Sequence, residues 1–264
     1  MSIRVALIGW GAIATTVAKH LADVDTVDIV AVGVRGSGER AGLPAGAALL
    51  TDPSGLAAAR PHVVAEAAGR DAVASWGRAA LGTGADYIVS SVSAFADPEL
   101  LRDLRHAAEA SGTQLQIQTG ALAGIDALAA ARPMGIDSVE HRIVKPPAAW
   151  RGTPADDLCD LDALNEPTTV FRGSANDAAR DFPKNANVAM TTALAGIGPD
   201  ATRISLVADP TATTNRHHLD ARGGFGELAV TITNNPLPAN PKTSAMAALG
   251  LVRAIENRAT AVAI

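Results

Sequence analysis

The sequence predicts an α/β fold in which a doubly wound parallel sheet is followed by a second α+β domain. Strand-like apolar runs alternate with helical segments over the first 119 residues, a glycine-rich turn joins the first strand to the first helix, and the pattern changes at Gly120. We therefore expect a Rossmann-type dinucleotide-binding domain in residues 1–119 and 242–264. Residues 120–241 are expected to form a substrate, catalytic and oligomerisation domain around a mixed or antiparallel sheet.

The turn after the first strand has the sequence Gly9-Trp-Gly-Ala-Ile-Ala14. Gly9 permits a tight turn, Gly11 lets a pyrophosphate approach the backbone, and Ala14 allows helix and strand to pack closely. The free N–H groups at the start of the helix point toward the phosphates. An ordinary β-turn-α connection is the alternative. The pattern predicts a phosphate site formed by Gly9, Gly11, Ala12 and Ile13.

The end of the second strand bears on the choice between NAD and NADP. NAD-binding folds usually place an acidic residue there, about 20 residues past the glycines, to hold the ribose hydroxyls. Here the strand ends in Val34-Arg35-Gly36-Ser37, and Asp28 lies at the wrong end to substitute. We expect Arg35, assisted by Ser37, to meet a 2′-phosphate, which favours NADP or dual use. A merely solvent-exposed Arg35 is the alternative.

The other elements of the first domain follow in alternation, which makes the sheet parallel. We expect strands at 3–8, 27–34, 47–50, 61–69, 86–93 and 114–119, and helices at about 12–22, 71–81 and 98–111. The fourth strand ends in small residues, and Ala68 is expected to leave room there for the cofactor.

The second domain has the mixed pattern of an α+β fold. We expect strands at 138–144, 168–172, 202–208 and 219–233, the last broken at Gly223-Gly224, and helices at 174–180 and 187–195. The proline-marked segment 236–241 leads into a last helix, at about 243–257, that is expected to return to the first domain.

Composition excludes several function classes. The net charge of −5 argues against a nucleic acid or an anionic membrane as partner. No apolar run reaches the roughly 18–20 residues that span a bilayer, and the N-terminus enters a strand without a signal-peptide layout. We therefore expect a cytoplasmic protein. The single cysteine, Cys159, excludes an intrachain disulfide and a Cys-rich zinc site, and no metal is expected.

A histidine pair is the candidate for acid–base chemistry. Nucleophile and phosphoryl-transfer motifs are missing from the sequence, which favours a redox cofactor. His217 and His218 are adjacent in a strand-like run and point to opposite faces, so at most one faces a site. Such an imidazole can take a proton from a substrate amine, although a structural role is the alternative. His141, between Glu140 and Arg142, is expected in a surface charge cluster.

Candidates for substrate binding lie in proline-marked loops. Lys145, Lys184 and Lys242 are expected to hold substrate carboxylates, with ordinary surface lysines as the alternative. Asn185 and Asn187 precede a predicted helix and can present amides to a substrate or a carboxamide. A helix N-cap is the alternative for Asn187.

Several long motifs resemble those of L-aspartate dehydrogenases. Besides the glycine loop, they are Gly120–Arg132, Lys145–Pro154, Phe182–Ala189, Asn215–His218 and Asn240–Ser244. The resemblance implies that His217 is the catalytic histidine and that Ala123 and Asn187 contact the cofactor. This sequence departs from the family at Ala14, where most relatives have glycine, and at the missing acidic residue of the second strand. Trp10 is also unusual there, and either shields the pyrophosphate or packs outward.

The resemblance further implies the reaction and its setting. It implies an NAD- or NADP-dependent enzyme that oxidises L-aspartate to iminoaspartate. Family members are commonly homo-oligomers, often dimers, and we expect a homodimer here. This product feeds pyridine-nucleotide biosynthesis or hydrolyses to oxaloacetate and ammonia, and the reverse reaction is a reductive amination. The alternatives are a homoserine- or dihydrodipicolinate-type oxidoreductase on the same plan, and a nucleotide sensor without catalysis.

Overall fold

The alternating apolar runs near the N-terminus fold into a parallel sheet in the computed structural model, which describes residues 2–36, 38 and 40–263. The chain divides into two units, residues 1–120 with 247–264 and residues 121–246. The function of each unit stays a prediction at this point. Within the described ranges, no helix is both long and apolar enough to cross a membrane.

The first unit is built on strands at the predicted places, but the fourth and fifth are shorter than the predicted 61–69 and 86–93. In the described part of the chain they are β1 (Ile3–Ile8), β2 (Val27–Gly33), β3 (Ala48–Leu50), β4 (Val63–Glu66), β5 (Asp86–Val89) and β6 (Leu115–Ile117). Their order is β3-β2-β1-β4-β5-β6, and all neighbouring pairs are parallel. This order confirms the doubly wound fold, which binds ligands where the winding reverses, between β1 and β4.

Helices cover the strands of the first unit, and the sequence indicates where they begin. The helices are α1 (Ala12–Leu21), α2 (Leu56–Ala59), α3 (Arg70–Gly82) and α4 (Pro98–Ser111). The carboxylate of Asp97 caps α4 by accepting the N–H of Glu99 at 3.0 Å, and Pro98 occupies the first turn, where its missing N–H costs nothing. The buried core is aliphatic, as the scarcity of aromatic residues requires, and includes Val5, Leu7, Ile8, Val64 and Ile88.

The second unit contains a mixed sheet, as predicted. Its described strands are β7 (Ile136–Lys145), β8 (Thr168–Ser174), β9 (Arg203–Ala208), β10 (Asn215–Gly223) and β11 (Gly226–Asn234). They are ordered β11-β10-β7-β9-β8, with β7 parallel to β9 and the other neighbours antiparallel. The helices that follow β6 are α5 (Ile125–Ala131), α6 (Ala155–Leu158), α7 (Ala175–Asp181), α8 (Ala186–Ala195) and α9 (Ala245–Ala259).

One segment differs from the prediction. The proline-marked stretch before the last helix forms a short antiparallel pair, β12 (Pro236–Leu237) and β13 (Asn240–Ser244), so that α9 begins at Ala245. Pairing in so short a hairpin depends on contacts that hydrophobic periodicity does not report. Within the first unit, the guanidinium of Arg258 on α9 forms an ion pair with Asp86 at 2.8 Å.

Candidate functional site

The glycine loop brings the ends of three strands of the first unit together. Gly9 follows β1 with a φ of +100°, a conformation that costs glycine little but strains other residues. A Cβ at this position would lie 2.6 Å from the carbonyl oxygen of Ala67, just after β4. The N–H of Gly9 also donates to the carbonyl of Gly33, the last residue of β2, at 2.7 Å. Gly9 is therefore required for close approach as well as for the turn.

Gly11 leaves the start of α1 open. It is the N-cap residue in an extended conformation and, as a glycine, offers no side-chain oxygen to the first turn. A Cβ on Gly11 would meet no described atom within 4 Å. The N–H groups of the first turn, including those of Ala12 and Ile13, have no acceptor within the helix, and the helix dipole makes this end partly positive. These are the properties of an anion-binding helix end.

A cleft of about 530 Å³ lies at this helix end. Small residues that end β1, β2 and β4 form much of its lining, which leaves space for a ligand beside the backbone. The residues around it that bear on ligand binding are Gly9, Gly11, Arg35, Arg40, Ala68 and Trp76. Four residues of the predicted cofactor site therefore surround one cleft.

A buried carboxylate fixes the loop that carries Ala68. The Glu66 side chain is fully buried, and its Oε1 accepts hydrogen bonds from the N–H groups of Ala68 at 2.7 Å and Gly69 at 2.8 Å. The same carboxylate accepts the N–H of Ser91 at 2.9 Å and its hydroxyl at 2.8 Å. Hydrogen bonds to a charged acceptor are among the stronger ones. Sequence reasoning missed Glu66, because a glutamate that ends a buried strand matches no motif.

Arg35 is exposed at the end of β2, beside the cleft. The nearby Arg40, which the sequence analysis did not single out, donates to the backbone carbonyls of Arg35 and Gly38, each at 3.1 Å. The indole N–H of Trp10 donates to the carbonyl of Ala41 at 3.0 Å, which ties the glycine loop to this segment. Ser37, the predicted assistant of Arg35, lies outside the described residues.

In the second unit, strand alternation gathers functional side chains on one face. Residues two apart in a strand share a face, so His141, Ile143 and Lys145 of β7 point the same way. His217 of β10 is paired with Ile143 in the antiparallel register, which places its side chain on that face as well. His141 is 1% exposed and His217 is 3% exposed. We call this the histidine face.

Helix α8 crosses the histidine face antiparallel to β7. At its start, the N-cap residue Asn185 accepts a hydrogen bond on Oδ1 from the ammonium of Lys145, at the end of β7. Two turns further along α8, Oγ1 of Thr192 lies 2.9 Å from Nδ1 of His141, four residues back in β7. The helix thus contacts both ends of the row that begins at His141 and ends at Lys145.

The two buried histidines contact each other. Nε2 of His141 lies 3.1 Å from Nδ1 of His217, with ring centroids 5.3 Å apart. Burial, and next His218, lowers the pKa of His141 to about 3. Burial, and then the charges of His141 and Lys145, lowers the pKa of His217 well below its ordinary value. Both rings are therefore neutral at neutral pH, and His217 is in the form that accepts a proton.

Lys145 is a desolvated cation beside an aromatic ring. Burial lowers its pKa to about 8. Its Nζ lies 5.3 Å from the ring centroid of Trp150, which is fully buried and donates its indole N–H to the carbonyl of Val207 at 3.1 Å. Phe182 packs edge-on against Trp150 with a centroid distance of 6.2 Å, and so anchors the turn that carries Asn185. A partly dehydrated ammonium of this kind binds carboxylates well.

The structure brings together some predicted residues of the second unit and leaves others apart. Lys145 and Asn185 are in contact, and the charge of Lys145 acts on His217. Ala123 is half-buried in the loop before α5, and Asn187 is exposed in the first turn of α8. The side chains of Lys184 and Lys242 lie outside the described part of the structure.

Two interpretations from the sequence are wrong. His141 does not belong to a surface charge cluster, since it is buried while Glu140 and Arg142 are exposed. Alternation with the apolar Val139 and Ile143 would have revealed this. Asn187 is not the N-cap of α8, because the helix begins one residue earlier, at Ala186.

Thr192 contacts the histidine face, whereas His218 lies on the opposite face of the sheet. Thr192 could not be found by periodicity, since α8 is apolar almost all round and no face of it stands out. His218 points to the opposite face of the sheet, where its Nδ1 lies 2.9 Å from Oγ1 of Thr231, as the alternation predicted. Among the described residues, no group of three or more His, Cys, Asp or Glu side chains could hold a metal ion.

Comparison with known proteins identifies relatives for both parts of the chain. The family model described as "Aspartate dehydrogenase, C-terminal" matches residues 126–258, and the one described as "Homoserine dehydrogenase, NAD binding domain" matches residues 9–118. An L-aspartate dehydrogenase of Brucella anthropi is 54% identical over 98% of this chain and 97% of its own length.

Two further relatives extend the same result. An L-aspartate dehydrogenase of Cupriavidus taiwanensis is 45% identical over 99% of this chain and 100% of its own. The crystal structure of aspartate dehydrogenase from Thermotoga maritima has a TM-score of 0.79 at 25% identity and covers 100% of both chains. Sequence identities of 54% and 45% over nearly the full length favour the aspartate dehydrogenase relatives over the homoserine- and dihydrodipicolinate-type alternatives.

Proposed function

Because the chain belongs to the L-aspartate dehydrogenase family, we propose that it oxidises L-aspartate to iminoaspartate with NAD or NADP. The observation that carries the proposal is that His217 and Lys145 share the histidine face, since His217 is paired with Ile143, two residues before Lys145 in β7. The reaction needs a base for the substrate ammonium and a cation for its carboxylates. Iminoaspartate then reacts with water to give oxaloacetate and ammonia.

The first unit fits a dinucleotide. The open N-terminus of α1 and the glycine at its N-cap suit a pyrophosphate, and the cleft beside them has room for it. When bound, the nicotinamide accepts the hydride that leaves the α-carbon of aspartate. Arg35 meets the 2′-phosphate of NADP, and Ala123 and Asn187 contact the cofactor as the family resemblance implies. The residues proposed to hold the pyrophosphate and its surroundings are Gly9, Gly11, Ala12, Ile13 and Ala68.

The second unit supplies proton transfer and substrate binding in this proposal. His217 accepts a proton from the α-ammonium of aspartate at Nε2, because its Nδ1 already contacts His141. The deprotonated amine then has the lone pair that forms the imine as hydride departs. Lys145, together with Asn185, Lys184 and Lys242, holds the substrate carboxylates.

Initial rates of cofactor reduction test the reaction. We expect reduction of NAD or NADP that depends on L-aspartate, with L-homoserine and L-malate much poorer substrates. A preference for homoserine would instead select the oxidoreductase alternative. Binding of NADH or NADPH without reduction on any of the three substrates would select a nucleotide sensor.

Substitution of the proposed base tests its role. We expect His217→Ala to lower kcat by about 10²–10⁴-fold, the usual contribution of acid–base catalysis, while NADH still binds. His106→Ala, which removes an exposed histidine from α4, is the control. Near-normal turnover in His217→Ala would exclude this histidine as the base.

We also propose that the enzyme is a cytoplasmic homodimer. Its reaction either supplies iminoaspartate to pyridine-nucleotide biosynthesis or proceeds in reverse as a reductive amination. Sedimentation velocity measures the oligomeric state. Oxidation of NADH or NADPH by oxaloacetate with ammonium, compared with the aspartate-driven rate, measures which direction the enzyme favours.

A further inference from the structure

A hydrogen-bonded chain runs from His217 into helix α8. Nδ1 of His217 contacts Nε2 of His141 at 3.1 Å, and Nδ1 of His141 contacts Oγ1 of Thr192 at 2.9 Å. The Thr192 hydroxyl in turn lies 3.1 Å from the carbonyl oxygen of Val188, one turn earlier in the helix. His141, His217 and Thr192 are all nearly or fully buried, so these contacts are shielded from water.

The position of one hydrogen fixes the others. A carbonyl oxygen is only an acceptor, so the contact between Thr192 and Val188 is favourable when the hydroxyl hydrogen lies between the two oxygens. Oγ1 of Thr192 then accepts from His141, which must carry its hydrogen on Nδ1. A neutral His141 has a lone pair on Nε2, and so accepts the Nδ1–H of His217. The lone pair of a neutral His217 is therefore on Nε2.

The reverse arrangement cannot serve a base at Nε2. If Thr192 donated to His141, then His141 would donate to His217, and Nε2 of His217 would carry a hydrogen. The hydroxyl oxygen of Thr192 would also face the Val188 carbonyl without a hydrogen between them. Only the first arrangement leaves Nε2 free to take a proton, and it serves the imidazolium equally, since Nδ1–H is already donated.

We propose that His141 and Thr192 are positioning residues that hold His217 in the tautomer with a basic Nε2. The inference rests on the proposed function of His217 as the base. Which ring nitrogen of a histidine is protonated is set by the partner of the other nitrogen. Here that partner is a second, neutral imidazole, and the hydroxyl behind it sets the direction of the whole chain.

The chain orients His217 and does not carry its proton away. It ends at the Val188 carbonyl inside α8, which has no proton to exchange. Burial lowers the pKa of His141 to about 3, so His141 stays neutral and remains an acceptor. The proton accepted by His217 therefore stays on this ring and leaves from Nε2.

The titratable groups around His217 come from β7 and β10, and α8 supplies uncharged partners to them. His141 and Lys145 of β7 share its face, and His218 is its neighbour on β10. The uncharged Thr192 of α8 contacts His141, and the uncharged N-cap residue Asn185 contacts Lys145. Of these, only Thr192 can be changed without altering a titratable group or the contact between Lys145 and Asn185. Thr192 is thus the position at which the chain is best tested.

The experiment compares Thr192→Val, Thr192→Ser and the matched control Thr191→Val, which removes a buried hydroxyl one residue away. We expect Thr192→Val to lower kcat for aspartate about tenfold or more, but by a smaller factor than His217→Ala does. KM for aspartate should change less than threefold. Thr192→Ser restores kcat, and Thr191→Val leaves it near the wild-type value. A purely structural effect of Thr192 would instead follow protein stability and leave the tautomer unchanged.

Nitrogen-15 NMR of the histidine side chains reports the tautomer of His217 in the wild-type protein and does not depend on activity. In the wild-type protein we expect the hydrogen of His217 on Nδ1 and its lone pair on Nε2, with the assignment taken from a His217→Ala spectrum. The opposite tautomer in the wild type, or an unchanged kcat in folded Thr192→Val, would overturn the inference. If aspartate is not oxidised at all, the proposed function fails, while the NMR result still decides the tautomer.

Discussion

The ammonium of Lys145 donates a hydrogen bond to the side-chain oxygen of Asn185, and so joins the end of β7 to the start of α8. Both residues were predicted from proline-marked motifs that lie 40 residues apart in the sequence. Asn185 is 7% exposed, and burial lowers the pKa of Lys145 to about 8. Burial thus disfavours the charged form of Lys145, and a bound carboxylate would offset this desolvation penalty by its opposite charge.

Binding of a dicarboxylate should therefore weaken at alkaline pH. Succinate, which has no ammonium group, reports the carboxylate site alone. Below pH 8 the free enzyme holds a charged Lys145, and above pH 8 the anion must bind together with a proton. We expect the Kd of succinate to rise by up to about tenfold per pH unit above 8 and to be flat below it. Isothermal titration calorimetry from pH 6.5 to 9.5 measures this.

Variants show whether Lys145 is the titrating group. Lys145→Met should bind succinate weakly at every pH and abolish the alkaline rise, whereas Lys19→Met, which removes an exposed lysine from α1, should keep the wild-type profile. A wild-type Kd that is constant up to pH 9.5 would contradict the role of Lys145 in carboxylate binding.

The two loop glycines should fail in different ways. Gly11→Ala adds a methyl group in open space at an ordinary φ, so the free energy of unfolding should change by less than about 1 kcal/mol. The same methyl group occupies the proposed pyrophosphate position, and the Kd for NADH should rise about tenfold or more. Fluorescence titration with NADH and urea denaturation measure the two quantities.

Gly9→Ala is the contrasting variant. Its Cβ would lie 2.6 Å from the Ala67 carbonyl oxygen, at a φ of +100°. We expect a loss of about 2 kcal/mol or more in the free energy of unfolding, because strain and overlap add. Equal losses in the free energy of unfolding for Gly9→Ala and Gly11→Ala would contradict a structural role for Gly9 and a cofactor-binding role for Gly11.

The fold of the first unit could be predicted from the sequence because its signals are local. Each buried strand is a short apolar run, and the turn at Gly9 and Gly11 has few other uses after a strand at the start of a helix. The hairpin of β12 and β13 could not be predicted, since two paired residues leave no periodic trace. Prolines in the same stretch are typical of turns and loops and give no indication of paired strands.

The candidate site divides in a similar way. His217, Lys145 and Asn185 stood in motifs long enough to resemble a family, whereas His141 and Thr192 matter through partners that are distant in the sequence. His141 lies 76 residues from His217, and Thr192 lies 51 residues from His141. Alternation in β7 could still have placed His141 on the buried face. Nothing in the sequence pairs it with Thr192.

Coenzyme preference should follow the charge at Arg35. If its guanidinium meets the 2′-phosphate of NADP, Arg35→Gln loses a charge-assisted contact worth about 1.5–3 kcal/mol. We expect KM for NADP to rise about tenfold or more, with KM for NAD nearly unchanged. Steady-state kinetics with both coenzymes measure this, and Arg105→Gln on α4 is the exposed control. Parallel changes for NAD and NADP would leave Arg35 as a surface residue.

The buried histidines should make the protein sensitive to acid. The pKa of His141 is lowered to about 3 in the folded protein, whereas in the unfolded chain it returns to the ordinary value near 6.5. Between these values the unfolded state binds more protons, so the free energy of unfolding falls as pH falls, by up to about 1.4 kcal/mol per pH unit for this ring. His217, whose pKa is also lowered, adds to the slope.

Urea denaturation at pH 7, 6, 5 and 4 tests this. The quantity compared between variants is the slope of the free energy of unfolding against pH, and not its value at one pH. His141→Gln should lower the free energy of unfolding at pH 7, because the contacts to His217 and Thr192 are lost. Below pH 6.5 its free energy of unfolding should fall less steeply with falling pH than that of the wild type, by up to about 1.4 kcal/mol per pH unit. Thr191→Val, which alters a buried side chain near His141 without removing a titratable group, should keep the wild-type slope. If His141→Gln declines in parallel with the wild type, His141 is not held neutral in the folded protein, and it could not act as the fixed acceptor for Nδ1–H of His217.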